Sequence, residues 1–84
     1  MDLSIELSFY PLQDGYKGPI LELIDQLSRE GNIRVVPNRM STQLFGEYDL
    51  LMSALTRLMK RSFEEHGTAV FVAKFINSDR SPRT

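Results

Sequence analysis

Apolar and polar side chains alternate strictly along residues 3–10, and this is the sequence feature that most constrains the fold. The apolar members are Leu3, Ile5, Leu7 and Phe9, and between them stand Ser4, Glu6, Ser8 and Tyr10. A period of two predicts a strand with one face on a core. Pro11 lacks a ladder donor and residues 13–15 are typical of a turn, so this strand is predicted to end near Tyr10.

Two longer segments have helical spacing instead. After Pro19, apolar residues recur at i, i+3, i+4 and i+7 as far as Gly31, which predicts a first helix; they are Ile20, Leu23, Ile24 and Leu27. A second, broader apolar face runs from Tyr48 to Phe63 and is closed by 66-HG-67.

Three further segments favour strands. Residues 33–36 are β-branched except for Arg34. Pro37 either restricts this strand to an edge position or ends it with a bulge, and the edge position is the simpler choice. Residues 40–45 are predicted as a third strand with Gly46 as its stop, and residues 68–76 as a fourth. In the fourth strand Val70, Val72, Lys74 and Ile76 fall on one side, opposite Ala69, Phe71, Ala73 and Phe75.

The resulting order is β-α-β-β-α-β, which indicates an α+β fold, the ferredoxin-like sandwich. Both helices then lie on one face of a four-stranded antiparallel sheet whose spatial order is 4-1-3-2. The 84 residues suffice for one core, predicted over residues 1–78, and the polar tail 79–84 is predicted to be poorly ordered.

Two helices cover only one face of such a sheet. The valines and the isoleucine predicted on the open face of strand four are unusual for a solvated surface. We therefore expect a homo-oligomer, a dimer or tetramer, packed through the open face; the alternative is a β-prone strand that is simply exposed. Glu6 on the same face is expected to pair with Lys74.

Composition excludes several classes of function. The chain has no cysteine and a single histidine, which excludes thiolate metal sites and argues against zinc. Its net charge of -1 argues against nucleic acid and anionic membrane as partners. No signal peptide or membrane-spanning run is visible, so a cytoplasmic location is expected. No residues are spaced as a catalytic triad or a phosphate-binding glycine loop, so we expect no enzyme activity and no cofactor.

Candidate binding residues cluster in the segment 39-RMSTQLFGEYD-49. Neighbouring strand residues face opposite sides, so Ser41 and Thr42 cannot both face solvent. An inward hydroxyl without a partner costs about 1–3 kcal/mol, so at least one should meet either a backbone group or a ligand. In the first case the two hydroxyls satisfy strand ends and cap the second helix. Glu47 and Asp49 have two interpretations: complementing a helix dipole, or lining a pocket.

Three segments, 5-IELSFYPL-12, 39-RMSTQLFGEYDLLMSAL-55 and 66-HGTAVFVAKFINS-78, resemble the YkoF-like thiamine-binding proteins. The resemblance spans nearly the whole chain. It implies a single-unit member with the ferredoxin-like fold, non-catalytic, that associates through its sheet and binds thiamine or its hydroxymethylpyrimidine moiety.

The same resemblance implies a set of ligand-binding residues. Met40, Ser41 and Thr42 match the family's Met-Ser-Thr, Tyr10 matches its strand-end tyrosine, and Glu47 stands where many members have aspartate. The hydroxyls are then expected to bind the aminopyrimidine, Phe9 or Tyr10 to contact its ring, and an acid to face the amino group or the thiazolium charge.

Other functions of this fold remain alternatives. The first is a small regulatory or assembly module without a vitamin ligand. An acylphosphatase-like enzyme needs an arginine in the loop after strand one, where this chain has only Lys17. An RNA-binding sheet would expose stacking aromatics with basic neighbours, whereas strand four offers Val70, Val72 and Ile76.

Overall fold

The computed structural model describes residues 1–12, 22, 25–29 and 31–82. Strands β1 (Asp2–Pro11), β2 (Arg34–Pro37), β3 (Thr42–Glu47) and β4 (Ala69–Ile76) form the sheet. Helix α1 is described at residues 22 and 25–29, and helix α2 spans Tyr48–His66. This order confirms the predicted β-α-β-β-α-β arrangement. The predicted start of the first helix at Pro19 and the loop from residue 13 lie outside the described residues.

The four strands form one sheet in the order β2-β3-β1-β4, with every neighbouring pair antiparallel. The predicted spatial order is therefore confirmed, and β2 occupies the edge position to which Pro37 restricts it. In the central register Ile5 lies opposite Leu44 on one side and Phe75 on the other.

The core lies between the helices and one face of the sheet. Strand β1 contributes Leu3, Ile5 and Leu7, all less than 10% exposed, as the alternation predicts. Leu44 from β3 and four residues of α2 complete most of it; those of α2 are Leu51, Ala54, Leu55 and Leu58.

Both ends of α2 are defined by local chemistry. The Leu50 backbone N–H donates to the Glu47 carboxylate at 3.1 Å, which satisfies one donor of the first turn. At the other end, Gly67 has φ 77° and its N–H donates to the Phe63 carbonyl at 3.2 Å. A positive φ of this kind favours glycine, which confirms the end predicted from 66-HG-67.

Strand β3 is displaced from its prediction by two residues, because the sequence predicts residues 40–45 with Gly46 as the stop. Residues 38–41 instead connect β2 to β3, closed by a 2.9 Å hydrogen bond from the Asn38 N–H to the Ser41 carbonyl. At the other end Gly46 pairs with Leu3 inside the strand. A Cβ on Gly46 would lie 3.1 Å from the Asn32 carbonyl oxygen, so glycine here permits a close backbone approach.

The face of the sheet opposite the helices is divided into two parts. Over β1 and β4 it exposes an apolar stripe, which we define as Tyr10, Val70, Val72 and Ile76, each at least 42% exposed. Glu6 and Lys74 lie within this face and form the expected ion pair, at 3.6 Å between carboxylate and ammonium.

Over β3 and β2 the same face is crossed by residues 78–82. The Ser4 hydroxyl donates to the Ser78 carbonyl at 2.7 Å and accepts from the Arg80 N–H at 2.8 Å. Arg34 donates to the Pro82 carbonyl at 2.7 Å. These contacts leave Phe45 only 5% exposed on a face that the helices do not cover. The poor order of 79–84 stays a prediction, and residues 83–84 lie outside the described chain.

Within the described residues, no helix combines the length and the apolar character needed to cross a membrane.

Candidate functional site

A hollow of about 130 Å³ lies where the β2–β3 connection meets the end of the helical layer. Its floor and walls come from β1, β4, α2 and the described part of α1. The described lining residues are Leu7, Phe9, Leu27, Asn38, Arg39, Met40, Ser41, Thr42, Leu58 and Phe71. We call this hollow the hairpin pocket.

The register of the strands explains why Ser41 and Thr42 form the polar side of the hairpin pocket. Thr42 pairs with Leu7 across the β1–β3 ladder, and Leu7 belongs to the buried face of β1. Residues opposite one another in a ladder project to the same face, so the Thr42 side chain points toward the helices. The closed connection over 38–41 then holds Ser41 beside it.

Two phenylalanines form the aromatic wall. Phe9 and Phe71 are directly paired in the β1–β4 ladder, with ring centroids 4.7 Å apart and ring planes tilted by 38°. Phe63 of α2 contacts Phe71 edge to face, with centroids 5.4 Å apart. The Phe71 ring is thus held from two sides, which favours a fixed surface for a flat ligand.

Ser41 and Thr42 are half-buried residues, and neither hydroxyl makes a hydrogen bond to any described residue. The interpretation that they cap α2 does not hold, because Glu47 supplies that cap. Other hydroxyls of the chain are engaged: Thr56 donates to the Met52 carbonyl at 2.7 Å. Both pocket hydroxyls therefore remain available to a ligand.

Four of the six residues predicted to bind ligand lie together. Phe9, Met40, Ser41 and Thr42 all line the hairpin pocket, with Met40 at its rim and 90% exposed. Their role in binding stays a prediction.

Tyr10 and Glu47 are not brought to this pocket. Tyr10 follows Phe9 in β1 and so faces the opposite side of the sheet, paired with Val70. Glu47 ends β3 five residues beyond Thr42, about 16 Å away at the rise of a strand. Asp49 lies in the first turn of α2 and is exposed.

Sequence reasoning missed six residues of the lining. They are Leu7, Leu27, Asn38, Arg39, Leu58 and Phe71. Strand pairing could have found two of them, because Leu7 is the partner of Thr42 and Phe71 the partner of Phe9. Arg39 directly precedes the Met-Ser-Thr segment, but no periodicity distinguishes it from a solvated charge.

The hairpin pocket combines apolar walls with a few polar groups, which is the usual composition of a small-molecule site. Hydroxyls, an amide and a guanidinium meet aromatic and aliphatic side chains, and the described lining contains no carboxylate. No cluster of three metal-ligating side chains occurs among the residues that the structure describes.

A wider groove of about 500 Å³ separates the two helices and includes Arg29, Arg57 and Arg61. Its guanidiniums are engaged within their own helices. Arg29 pairs with Asp25 at 2.7 Å, and Arg61 donates to Glu65 at 2.7 Å. The hydrogen bond that Arg61 donates to Glu65 raises the pKa of Arg61, and the negative charge of Glu65 raises it further. Arg57 donates to the Ser53 hydroxyl at 2.6 Å. Because each of the three guanidiniums already has a partner on its own helix, this groove is a weaker candidate for an anion site than its composition indicates.

No protein-family profile and no curated protein matches this chain. Solved structures do. A hypothetical protein of Methanocaldococcus jannascii is 20% identical with a TM-score of 0.78, covering 99% of this chain and 87% of its own. A domain of unknown function, DUF77, from Bacillus cereus is 17% identical with a TM-score of 0.77, covering 100% and 83%.

A third structure is that of a Thermotoga maritima protein provisionally assigned to thiamine biosynthesis or salvage. It is 14% identical with a TM-score of 0.67, and the match covers 96% of this chain and 85% of that one. At these low sequence identities, the three similarities show that this chain shares the fold of those proteins, and they show no more than the fold.

Proposed function

We propose that this chain is a non-catalytic binding protein for thiamine or its hydroxymethylpyrimidine moiety. The observation that carries the proposal is the hairpin pocket, where two hydroxyls without a described partner lie beside the tilted ring pair of Phe9 and Phe71. The resemblance of its segments to the YkoF-like proteins supports this ligand, as does the name of the Thermotoga maritima protein.

The chemistry of an aminopyrimidine suits this lining. Its ring is flat and aromatic and would lie against Phe9 and Phe71. Its ring nitrogens accept hydrogen bonds and its amino group donates them. Ser41 and Thr42 can each do both, because a hydroxyl has one donor hydrogen and two acceptor lone pairs.

The proposal contains no catalytic step. A hydroxyl nucleophile needs an adjacent base, and the described lining offers neither histidine nor carboxylate next to Ser41 or Thr42. Ligand binding alone accounts for these side chains.

The proposal includes self-association through the apolar stripe. Tyr10, Val70, Val72 and Ile76 are exposed on the same face of β1 and β4, with the Glu6–Lys74 pair between Val72 and Ile76. Glu6 and Lys74 place both signs of charge in the same patch, so a second copy related by a twofold axis would present a complementary pair. A second copy is therefore the partner that this face fits best.

The second candidate function is an assembly module with no vitamin ligand, and the apolar stripe is the observation that favours it. Such a protein would self-associate through the stripe and leave the hairpin pocket empty. Ligand binding therefore separates the two functions, whereas oligomerisation does not.

The test is a thermal-unfolding titration of the full chain with thiamine and with hydroxymethylpyrimidine. A ligand at a hundredfold excess over its Kd adds about 2.7 kcal/mol to the free energy of unfolding. We expect the melting temperature to rise with at least one compound, and no rise with either at millimolar concentration would contradict the proposal.

A further inference from the structure

Arg39 is the one charged side chain in the described lining of the hairpin pocket. It sits in the four-residue connection between β2 and β3, whose ends are held by the Pro37–Thr42 pairing and the Asn38–Ser41 hydrogen bond. Its backbone position is thereby fixed beside Ser41 and Thr42. Arg39 makes no ion pair with any residue in the described part of the chain, unlike Arg29 and Arg61.

The charge of the side chains around the hairpin pocket indicates which charge a ligand should have. The acid expected to meet a cationic ligand, Glu47, caps α2 at the far end of β3. The described lining of the pocket contains no carboxylate. A guanidinium repels a thiazolium and binds phosphate oxygens through its planar set of N–H donors. The Asn38 side chain adds a further donor on the same side.

The volume of the hairpin pocket limits how many rings of a ligand it can enclose. Its volume is about 130 Å³. An apolar cavity of about 150 Å³ holds one benzene molecule, while the pockets that hold drug-sized ligands measure about 300–1,000 Å³. The described hollow therefore matches one six-membered ring and leaves a second ring at the rim, next to Arg39.

We propose that the hairpin pocket selects a phosphate monoester of the single-ring aminopyrimidine over the two-ring thiamine cation, with Arg39 binding the phosphate. This inference rests on the function proposed above and specifies its ligand class. The ring lies between the phenylalanines and the hydroxyls, and the phosphate lies at the rim beside Asn38 and Arg39.

The test is calorimetric titration of the full chain with three compounds: hydroxymethylpyrimidine, its phosphate monoester and thiamine. We expect the monoester to bind about tenfold or more tightly than the unphosphorylated compound, since hydrogen bonds to charged groups are the stronger kind. Thiamine is expected to bind most weakly. Raising the salt concentration should weaken binding of the monoester alone, since salt screens an exposed charge pair.

Arg39→Gln is the diagnostic variant, and Lys60→Gln is its control. Lys60 is exposed on α2 and is not part of the described lining, so its substitution removes the same charge elsewhere. Arg39→Gln should remove the tenfold preference for the monoester and leave affinity for the neutral compound within about twofold, whereas Lys60→Gln should change neither.

Two results would overturn this inference while leaving the proposed function intact. One is binding of thiamine more tightly than the monoester. The other is an Arg39→Gln variant that keeps the full preference for the monoester. If none of the three compounds binds, both the inference and the proposed function are wrong.

Discussion

At the scale of single residues, the Thr42 hydroxyl is the group whose removal is most informative. It lines the hairpin pocket and has no hydrogen-bond partner among the described residues. Thr42→Val keeps the shape and removes the hydroxyl. We expect the free energy of unfolding to change by less than about 0.5 kcal/mol and the affinity for hydroxymethylpyrimidine to fall about tenfold, measured by denaturation and calorimetry.

Thr56→Val is the matched control for this substitution. The Thr56 hydroxyl donates to the Met52 carbonyl on the exposed side of α2, away from the pocket lining. This variant should leave ligand affinity unchanged. Equal affinities for Thr42→Val and the unmodified protein would show that the hydroxyl does not contact the ligand.

Two buried serines provide a second comparison at this scale. The Ser62 hydroxyl is fully buried and has no hydrogen-bond partner in the part of the chain that the structure describes, whereas Ser4 makes two hydrogen bonds to residues 78 and 80. An unsatisfied buried hydroxyl costs about 1–3 kcal/mol, so Ser62→Ala should maintain or raise stability. Ser4→Ala should lower it by about 1 kcal/mol or more.

Urea denaturation of the two variants measures the difference. Amide hydrogen exchange at Arg80 gives an independent readout, because its N–H donates to the Ser4 hydroxyl and should exchange faster in Ser4→Ala. A loss of stability in Ser62→Ala as large as that in Ser4→Ala would show that the Ser62 hydroxyl has a partner.

The alternation of side chains along a strand determined which residues of the site could be predicted from the sequence. Alternation requires one of Ser41 and Thr42 to face inward, and the register confirms that Thr42 does. Alternation also separates Phe9 from Tyr10, so the resemblance could not place both at one pocket. Glu47 is far from Thr42 because an extended strand lies between them, a distance that sequence proximity does not reveal.

At the scale of elements, Glu47 is expected to stabilise α2 and not the ligand. Its carboxylate accepts the Leu50 N–H in the first turn. Glu47→Ala should lower the free energy of unfolding by about 1 kcal/mol, typical of a lost N-terminal cap, and leave ligand affinity unchanged. Chemical denaturation and calorimetry check the two parts.

Glu64→Ala is the control on the same helix. Glu64 is exposed near the other end of α2, where a negative charge opposes the helix dipole. Its removal should leave stability unchanged or slightly higher. A fall in ligand affinity for Glu47→Ala would contradict the assignment of Glu47 to the helix cap alone.

The order of the elements could be predicted because each has a clear period, but the limits of β3 could not. Met40 and Ser41 are compatible with a strand, yet they belong to the connection that the Asn38–Ser41 hydrogen bond closes. Gly46 resembles a stop, yet its pairing with Leu3 continues the strand. Long-range contacts decide both ends. The same holds for residues 78–82, whose hydrogen bonds to Ser4 and Arg34 join opposite ends of the chain.

At the scale of the whole molecule, the apolar stripe predicts self-association. Val72 lies near its centre and is 50% exposed, so Val72→Glu would bury a charge in the proposed interface. We expect sedimentation velocity to show dimers or tetramers for the unmodified chain and monomers for this variant.

Leu50→Glu controls for the loss of an exposed apolar side chain. Leu50 is 45% exposed on α2, in the helical layer and not on the open face. This variant should sediment like the unmodified protein. A Val72→Glu variant that keeps the oligomer would show that the stripe is not the interface.

The hairpin pocket itself is tested most directly by an NMR titration of the full chain with hydroxymethylpyrimidine, followed through backbone amide shifts. We expect the largest changes at Ser41, Thr42 and the Phe9–Phe71 pair, and little change at Val72 on the opposite face. Changes centred on the open face, or no changes at millimolar ligand, would contradict binding of a flat heterocycle in this pocket.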